Sequence, residues 1–291
     1  MSGNIHVWHV ENINIIPFMY DPVILSLKQF LPLMYTNRII KFNINDVKNN
    51  DDLIEGDILI WVGFRRPNFK ELKKRNIYII FYNLEPYVDI SETDEIWTYS
   101  RYLFEEYKKV SNKIIKFIPT ILDKSVPTIN YLENNNDIKL TFMGYIPYGR
   151  EEKNKIINNS GVKINMVYNL WSHQAFNLFI NNNTHIFLNI TKGDTKVMPM
   201  VRVNKLLSHK CIIISEHLEE LEEELYKDMV FFKDLHEIGD FFKSLINKSK
   251  AELDIIAESS YQKFSNSFSL ENAFKLIQTT GEVNKNSSVI F

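Results

Sequence analysis

Cysteine is almost absent: the 291 residues include a single one, Cys211. A lone cysteine builds neither a disulfide framework nor a cysteine-based zinc site. It sits in the apolar run Cys211-Ile-Ile-Ile214 and reads as a small core residue. An excess of one charge is missing too. The net charge of −2 argues against broad, non-specific nucleic-acid binding. No run reaches the ~20 apolar residues that a membrane-spanning helix needs. The first residues lack the basic start and apolar stretch of a signal peptide. A cytoplasmic chain with no nucleic-acid partner is expected. Familiar chemical motifs are also absent: Gly-x-Ser-x-Gly, the Walker loop, Gly-x-Gly-x-x-Gly, His-x-x-x-His and His-Glu-x-x-His. The seven histidines are scattered. Hydrolase, nucleoside-triphosphatase and dehydrogenase readings lose their support.

Apolar residues make up 45% of the chain, enough at this length to build one large or two medium cores. Short β-branched runs alternate with helical-period segments. Strands are expected at Ile5–Val10, Arg38–Phe42, Asp57–Val62, Ile77–Tyr82, Glu95–Tyr99 and Ile114–Ile118. Helices are expected between them at Pro22–Tyr35, Asn68–Arg75 and Tyr102–Ser111. Pro119 to Asp137, with Pro127 and Asn134-Asn-Asn-Asp137, breaks the rhythm and reads as an interdomain connection. The alternation then restarts at Ile138–Met143 and runs through Met229–Phe232, after which the pattern is helical to Thr279. Strands alternating with helices imply parallel sheets covered on both faces. The fold class is therefore α/β, with two Rossmann-like doubly wound domains facing a cleft and a helical C-terminal segment. The expected division is 1–125, 126–268 and a crossover helix with tail over 269–291. Ligands of such sheets bind beyond the carboxyl ends of the strands.

The second half carries an ordered series: Phe142-Met-Gly144, Gly149-Arg-Glu151, Ile186-Phe-Leu-Asn-Ile190, Val201-Arg-Val-Asn-Lys-Leu-Leu207, Cys211-Ile-Ile-Ile-Ser-Glu216, Tyr226-Lys-Asp-Met-Val-Phe-Phe232 and Tyr261-Gln-Lys-Phe264. In order and spacing it resembles the donor domain of GT-B glycosyltransferases, closest to the CgeB-like, glycosyltransferase family 1-like branch. The resemblance covers about residues 138–268. The first half resembles that branch weakly, through Tyr82-Asn-Leu-Glu-Pro86 and Asp94-Glu-Ile-Trp-Thr-Tyr-Ser100.

The resemblance implies transfer of a sugar from a UDP- or GDP-type nucleotide sugar to a glycan, lipid or protein acceptor. No cofactor other than that substrate is implied. Asp-x-Asp occurs nowhere in the chain, which disfavours the metal-dependent GT-A class. Without metal, a diphosphate is held by cations, backbone N–H groups and helix N-termini.

Gly144 and Arg150 flank the first strand-to-helix turn of the second half, where backbone and guanidinium can meet phosphate; a plain turn with a solvated arginine has the same look. Over Pro199–His209, Pro199 suits a first helical turn. Met200, Val203, Leu206 and Leu207 form an apolar stripe, and Arg202, Lys205 and His209 share another face. Arg202 and Lys205 are expected to reach one anion together; a solvated basic face is the bland alternative. Many GT-B enzymes use a Glu in this helix for the ribose hydroxyls, and here Arg202, Asn204 and Lys205 stand instead. Glu216, after Ser215 at the strand end, is the substitute, or else a surface acid leading into Glu219–Glu224. Trp171 in Asn169-Leu-Trp-Ser-His173 can stack on the base or simply pack between domains. Lys192-Gly-Asp-Thr195 is a further donor-facing loop or an ordinary turn.

In the first half, His9, Glu11, Glu85 and Asp89 follow strands and are candidates for the base of an inverting transfer. Glu85, followed by Pro86, is the leading one, with His9 second. The missing helix Glu keeps open a catalytically degenerate GT-B binding or scaffold protein. A nucleotide-sugar epimerase or hydrolase on the same fold is a third reading.

Overall fold

The computed structural model describes residues 3–9, 17–43, 53–63, 69–84, 90–133, 137–144, 149–168, 170, 173–182 and 185–280, without the side chains of 9, 17–20, 43, 173 and 182. The chain divides into two compact units. One comprises Met1–Thr120 with Leu270–Phe291, and the other Ile121–Ser269.

The first unit contains β1 (Ile5–His9), α1 (Pro17–Met34), β2 (Ile40–Asn43), β3 (Ile58–Gly63), α2 (Phe69–Lys74), β4 (Tyr78–Asn83), β5 (Glu95–Thr98), α3 (Arg101–Val110) and β6 (Ile114–Phe117). Its strands pair in parallel in the order β2-β1-β3-β4-β5-β6. Every residue of β3 is buried, as a sheet covered on both faces requires. Trp8, Leu59, Trp61, Phe69, Leu72, Ile79 and Phe81 form one core cluster. Helix α1 starts at Pro17 rather than at the expected Pro22. Either proline suits a first turn, and an interior one removes a single backbone donor.

The second unit holds β7 (Lys139–Met143), α4 (Arg150–Asn158), β8 (Asn165–Val167), α5 (His173–Asn182), β9 (His185–Asn189), α6 (Met200–Ser208), β10 (Ile212–Glu216), α7 (Glu220–Leu225), β11 (Phe231–Lys233), α8 (Ile238–Ile246) and α9 (Lys250–Ser267). Its parallel order is β11-β10-β9-β7-β8. Counted within each unit, the strand orders are the same, 2-1-3-4-5, with a sixth strand added in the first. Both units are Rossmann-like, and the strand order reverses between β1 and β3 in one and between β7 and β9 in the other. Such a reversal is where a doubly wound sheet opens a crevice for ligands.

Residues 121–125 go with the second unit. Leu122 N–H donates to Phe268 O (3.0 Å) and Asp123 N–H to Ser208 Oγ (3.2 Å). The last described helix, α10 (Leu270–Thr280), belongs to the first unit, where Phe274 stacks on Phe30 of α1 with ring centroids 6.4 Å apart. Ser249 and Glu252 close a capping box at the start of α9, which stops the helical run from continuing back into α8. No described helix is long and apolar enough to cross a membrane.

Candidate functional site

The carboxyl ends of β7 and β9 meet at the reversal in the second unit, and two arginines occupy it. Arg202 lies in the first turn of α6. Its Nη1 donates to Met143 O at the end of β7 (3.3 Å) and its Nη2 to Asn189 Oδ1 at the end of β9 (2.6 Å). Arg150, the first residue of α4, donates through Nε to Ile190 O (3.1 Å). Both guanidinium groups stand over the ring of buried Phe142, at 5.1 Å for Arg202 and 5.6 Å for Arg150. A ring face favours a cation and holds its plane.

Glycine makes room for this arrangement twice. Gly144 has φ of 144°, and a Cβ there would lie 3.2 Å from Arg202 Nη1. Gly149 has φ of 84°, and its Cβ would come within 2.8 Å of Gly193 Cα. The loop after β9 therefore rests on the start of α4 with backbone against backbone.

Behind the arginines runs a buried polar chain. Asn189 Nδ2 donates to Ser215 Oγ (2.9 Å), and Ser215 Oγ donates to Glu216 O (2.8 Å). Ser215 is fully buried, so it supports Arg202 through Asn189. The Glu216 side chain is 1% exposed and ties three segments together. Its Oε1 accepts from Thr191 N (2.5 Å), Thr191 Oγ1 (2.8 Å) and Lys153 Nζ (2.9 Å). Its Oε2 accepts from Lys196 Nζ (3.1 Å). Burial pulls the Glu216 pKa up, but the hydrogen bonds from Lys153 and Thr191 and the Lys153 charge outweigh it, so the carboxyl stays below its ordinary value.

The structure thus gathers Gly144, Arg150, Arg202, Ser215 and Glu216 around the carboxyl ends of β7, β9 and β10. Lys205 takes a different course. It is buried, with Nζ 5.2 Å above the ring of Phe176 in α5. The expected shared face of Arg202 and Lys205 is divided because α6 is enclosed. His209 is fully buried, its Nδ1 2.6 Å from Pro127 O and its ring against Phe176. The segment after Thr120 and helix α9 cover what an isolated helix would leave to solvent. Asn204 is taken up by Tyr226, whose hydroxyl donates to Asn204 Oδ1 (2.6 Å). Cys211 is buried and its thiol pushed well up by that burial, in keeping with a core role. Glu85, Asp89, Glu11 and Trp171 lie outside the described residues, as does the side chain of His9, whose backbone ends β1.

Lys153, Asn189, Thr191 and Lys196 escaped the sequence reading. Two signals were available. Lys153 is three residues after Arg150 and shares its helix face. Asn189 is a polar residue in an otherwise apolar buried strand, which needs a partner.

The sequence matches no protein-family model and no curated protein. Solved structures do resemble it. Anabaena HepE in complex with UDP-glucose aligns over 95% of this chain and 98% of its own, with 10% identity and a TM-score of 0.57. T4 phage BGT, in complex with UDP and Mn2+, aligns over 96% and 100%, with 13% identity and a TM-score of 0.50. Against S. aureus TarM the chain covers 79% of itself and spans little more than half (56%) of that longer chain, at 8% identity and a TM-score of 0.49. For HepE and BGT, at these identities, the likeness establishes the fold: two Rossmann-like units of the GT-B type with a helical C-terminal segment.

Proposed function

We propose that this chain is a glycosyltransferase that transfers a sugar from a nucleotide-sugar donor, UDP- or GDP-type, bound at the β7/β9 reversal. The observation that carries the reading is Arg202, whose guanidinium spans the ends of both strands beside Arg150 over one aromatic ring. Forked cations at a switch point suit a diphosphate, which they bind and stabilise as it leaves. The GT-B fold supports the same reading. Its neighbours HepE and BGT were solved with UDP-glucose and UDP.

Transfer without metal is part of the proposal. Arginine and lysine surround the reversal, and no Asp-x-Asp is available to hold a divalent ion there. The tightest His/Asp/Glu group among the described residues, Asp234, His236 and Glu237, is exposed beyond β11. The BGT structure holds Mn2+, so activity with EDTA and with added Mn2+ tests this part directly. The acceptor is a glycan, lipid or protein, and the base that activates it is assigned to the first unit, to Glu85 ahead of His9. Trp171 is assigned to the base of the nucleotide. The nearer branch, CgeB-like, rests on the sequence resemblance.

The deciding experiment is a thermal-shift screen of UDP, GDP and their sugars. One family of nucleotides is expected to raise the melting temperature, and Arg202→Ala to abolish that shift. No shift with any nucleotide would refute the proposal. One observation favours the alternative of a binding or scaffold protein. Asn204 is occupied by Tyr226 and Glu216 by protein partners, so no idle acid stands where a ribose-binding Glu is usual. Nucleotide-sugar binding with no product by mass, with and without a broad acceptor panel, would establish that alternative.

A further inference from the structure

Two lysines share the Glu216 carboxylate, and they differ in what else they do. Lys153 Nζ donates to Glu216 Oε1 (2.9 Å), Thr191 O (3.2 Å) and Thr191 Oγ1 (3.1 Å). An ammonium has three protons, so Lys153 is saturated. Its side chain is only 12% exposed. Lys196 Nζ donates to Glu216 Oε2 (3.1 Å) and His217 O (3.1 Å). It keeps one proton for another acceptor, and its side chain is 39% exposed. Oε1 is crowded with three donors, and Oε2 has Lys196 alone. Lys153 is thus a fixed strut of the loop after β9, whereas Lys196 is held by contacts that an incoming anion can replace.

We infer that Lys196 is a further donor-binding residue, latched on Glu216 in this conformation and drawn to the diphosphate when a nucleotide binds. This rests on the β7/β9 reversal being the nucleotide site. Leaving the carboxylate exchanges one anionic partner for another of higher charge. It also uncovers Oε2, an ionised acceptor, at the moment the nucleotide arrives. A ribose hydroxyl donor can then take the vacated position. Glu216 therefore becomes a ribose partner only after Lys196 has moved, and ribose recognition is conditional on the phosphates. A nucleoside without phosphates leaves the latch shut.

Titration calorimetry on the intact chain with UDP, uridine, 2′-deoxy-UDP and inorganic pyrophosphate tests this, with GDP and guanosine substituted if the screen selects guanine. Lys196→Met is expected to weaken UDP and pyrophosphate about tenfold or more, the scale of one charge-assisted contact. Lys196→Arg is expected to restore most of the loss. Wild type is expected to prefer UDP over its 2′-deoxy form and to bind uridine hardly at all, while Lys196→Met, with Oε2 already uncovered, gains affinity for uridine. Because Lys196 is part exposed, its melting temperature should stay near that of wild type, which separates lost binding from lost folding. Wild-type binding of UDP with an unchanged Lys196→Met variant would overturn the latch and leave the nucleotide reading intact. No binding of UDP, GDP or pyrophosphate by wild type would overturn both.

Discussion

Each unit buries a glutamate within or at the end of its sheet, and the two are treated differently. In the first unit, Glu95 receives one cation, Lys116, at 2.7 Å, with Trp97 Nε1 (2.6 Å) and Tyr78 OH (3.3 Å) completing its shell. The pair is charge-balanced and buried, joining the start of β5 to β6. In the second unit, Glu216 at the end of β10 receives two lysines, and Arg150 and Arg202 bond to the ends of the neighbouring strands. There one carboxylate holds two lysines, and two arginines cap the ends of β7 and β9 through carbonyl and amide oxygens. A balanced buried pair satisfies itself and asks for nothing more. A surplus of cations at strand ends is costly without a counter-ion, and an anionic ligand relieves it. This difference, more than any single residue, separates a self-contained structural ion pair from the site proposed for the nucleotide.

The largest expected effect tests the shared part of the comparison. Glu216→Ala and Glu95→Ala each strand a lysine that is nearly buried, Lys153 or Lys116, and each should cost on the order of 3 kcal/mol in urea unfolding. Only Glu216→Ala should also alter nucleotide affinity; an equal effect of Glu95→Ala on binding would remove the distinction between the two pairs.

Next comes acid. His185 is buried, its Nδ1 2.8 Å from Thr141 Oγ1, and burial with the nearby Lys139 charge lowers its pKa to about 4. The unfolded chain then binds the proton first, so stability should fall as pH drops from about 6.5 to about 4, by roughly 2–3 kcal/mol. His185→Gln should flatten that window. Glu216 acts lower. Its pKa is depressed in the folded state, so its contribution is present above the ordinary carboxylate pKa and disappears as pH falls through the depressed one. Denaturation curves across pH 3–7 for the two variants should separate in that order; coincident curves would show that neither group sets the acid limb.

A smaller effect is expected from Gly149→Ala. Positive φ and the contact with Gly193 should cost about 1–2 kcal/mol and weaken nucleotide binding by displacing the loop after β9. An unchanged melting temperature would mean that the loop yields freely. The smallest change in stability belongs to Lys196→Met, within about 0.5 kcal/mol for a part-exposed surface residue, although its effect on binding is among the larger ones.

Much of this architecture was legible beforehand. The alternation of β-branched runs with helical periods placed nearly every described strand within a residue or two, because a two-sided parallel strand must be continuously apolar and leaves a strong pattern. The helix with Arg202 and the strand ending in Glu216 were legible for the same reason. The division of labour inside the site was not. Arg202 and Lys205 look equivalent on a helical wheel, and only the enclosure of α6 by α9 and the segment after Thr120 sends Lys205 to Phe176. Glu216 read as a ribose-binding acid or a surface acid, not as a buried tie, because its partners, Lys153, Thr191 and Lys196, lie far from it along the chain.

By itself, then, the sequence determined the α/β class, the repeated strand–helix alternation and the basic helix that precedes a buried strand, since periodicity and residue type are local properties. The tertiary structure alone decided that both sheets share one strand order, that the order reverses at β7 and β9, and that Arg202 bridges that reversal while Glu216 holds one lysine fixed and another within reach of solvent. Those are facts about neighbours distant in the chain, and strand order and charge balance exist only once the chain has folded.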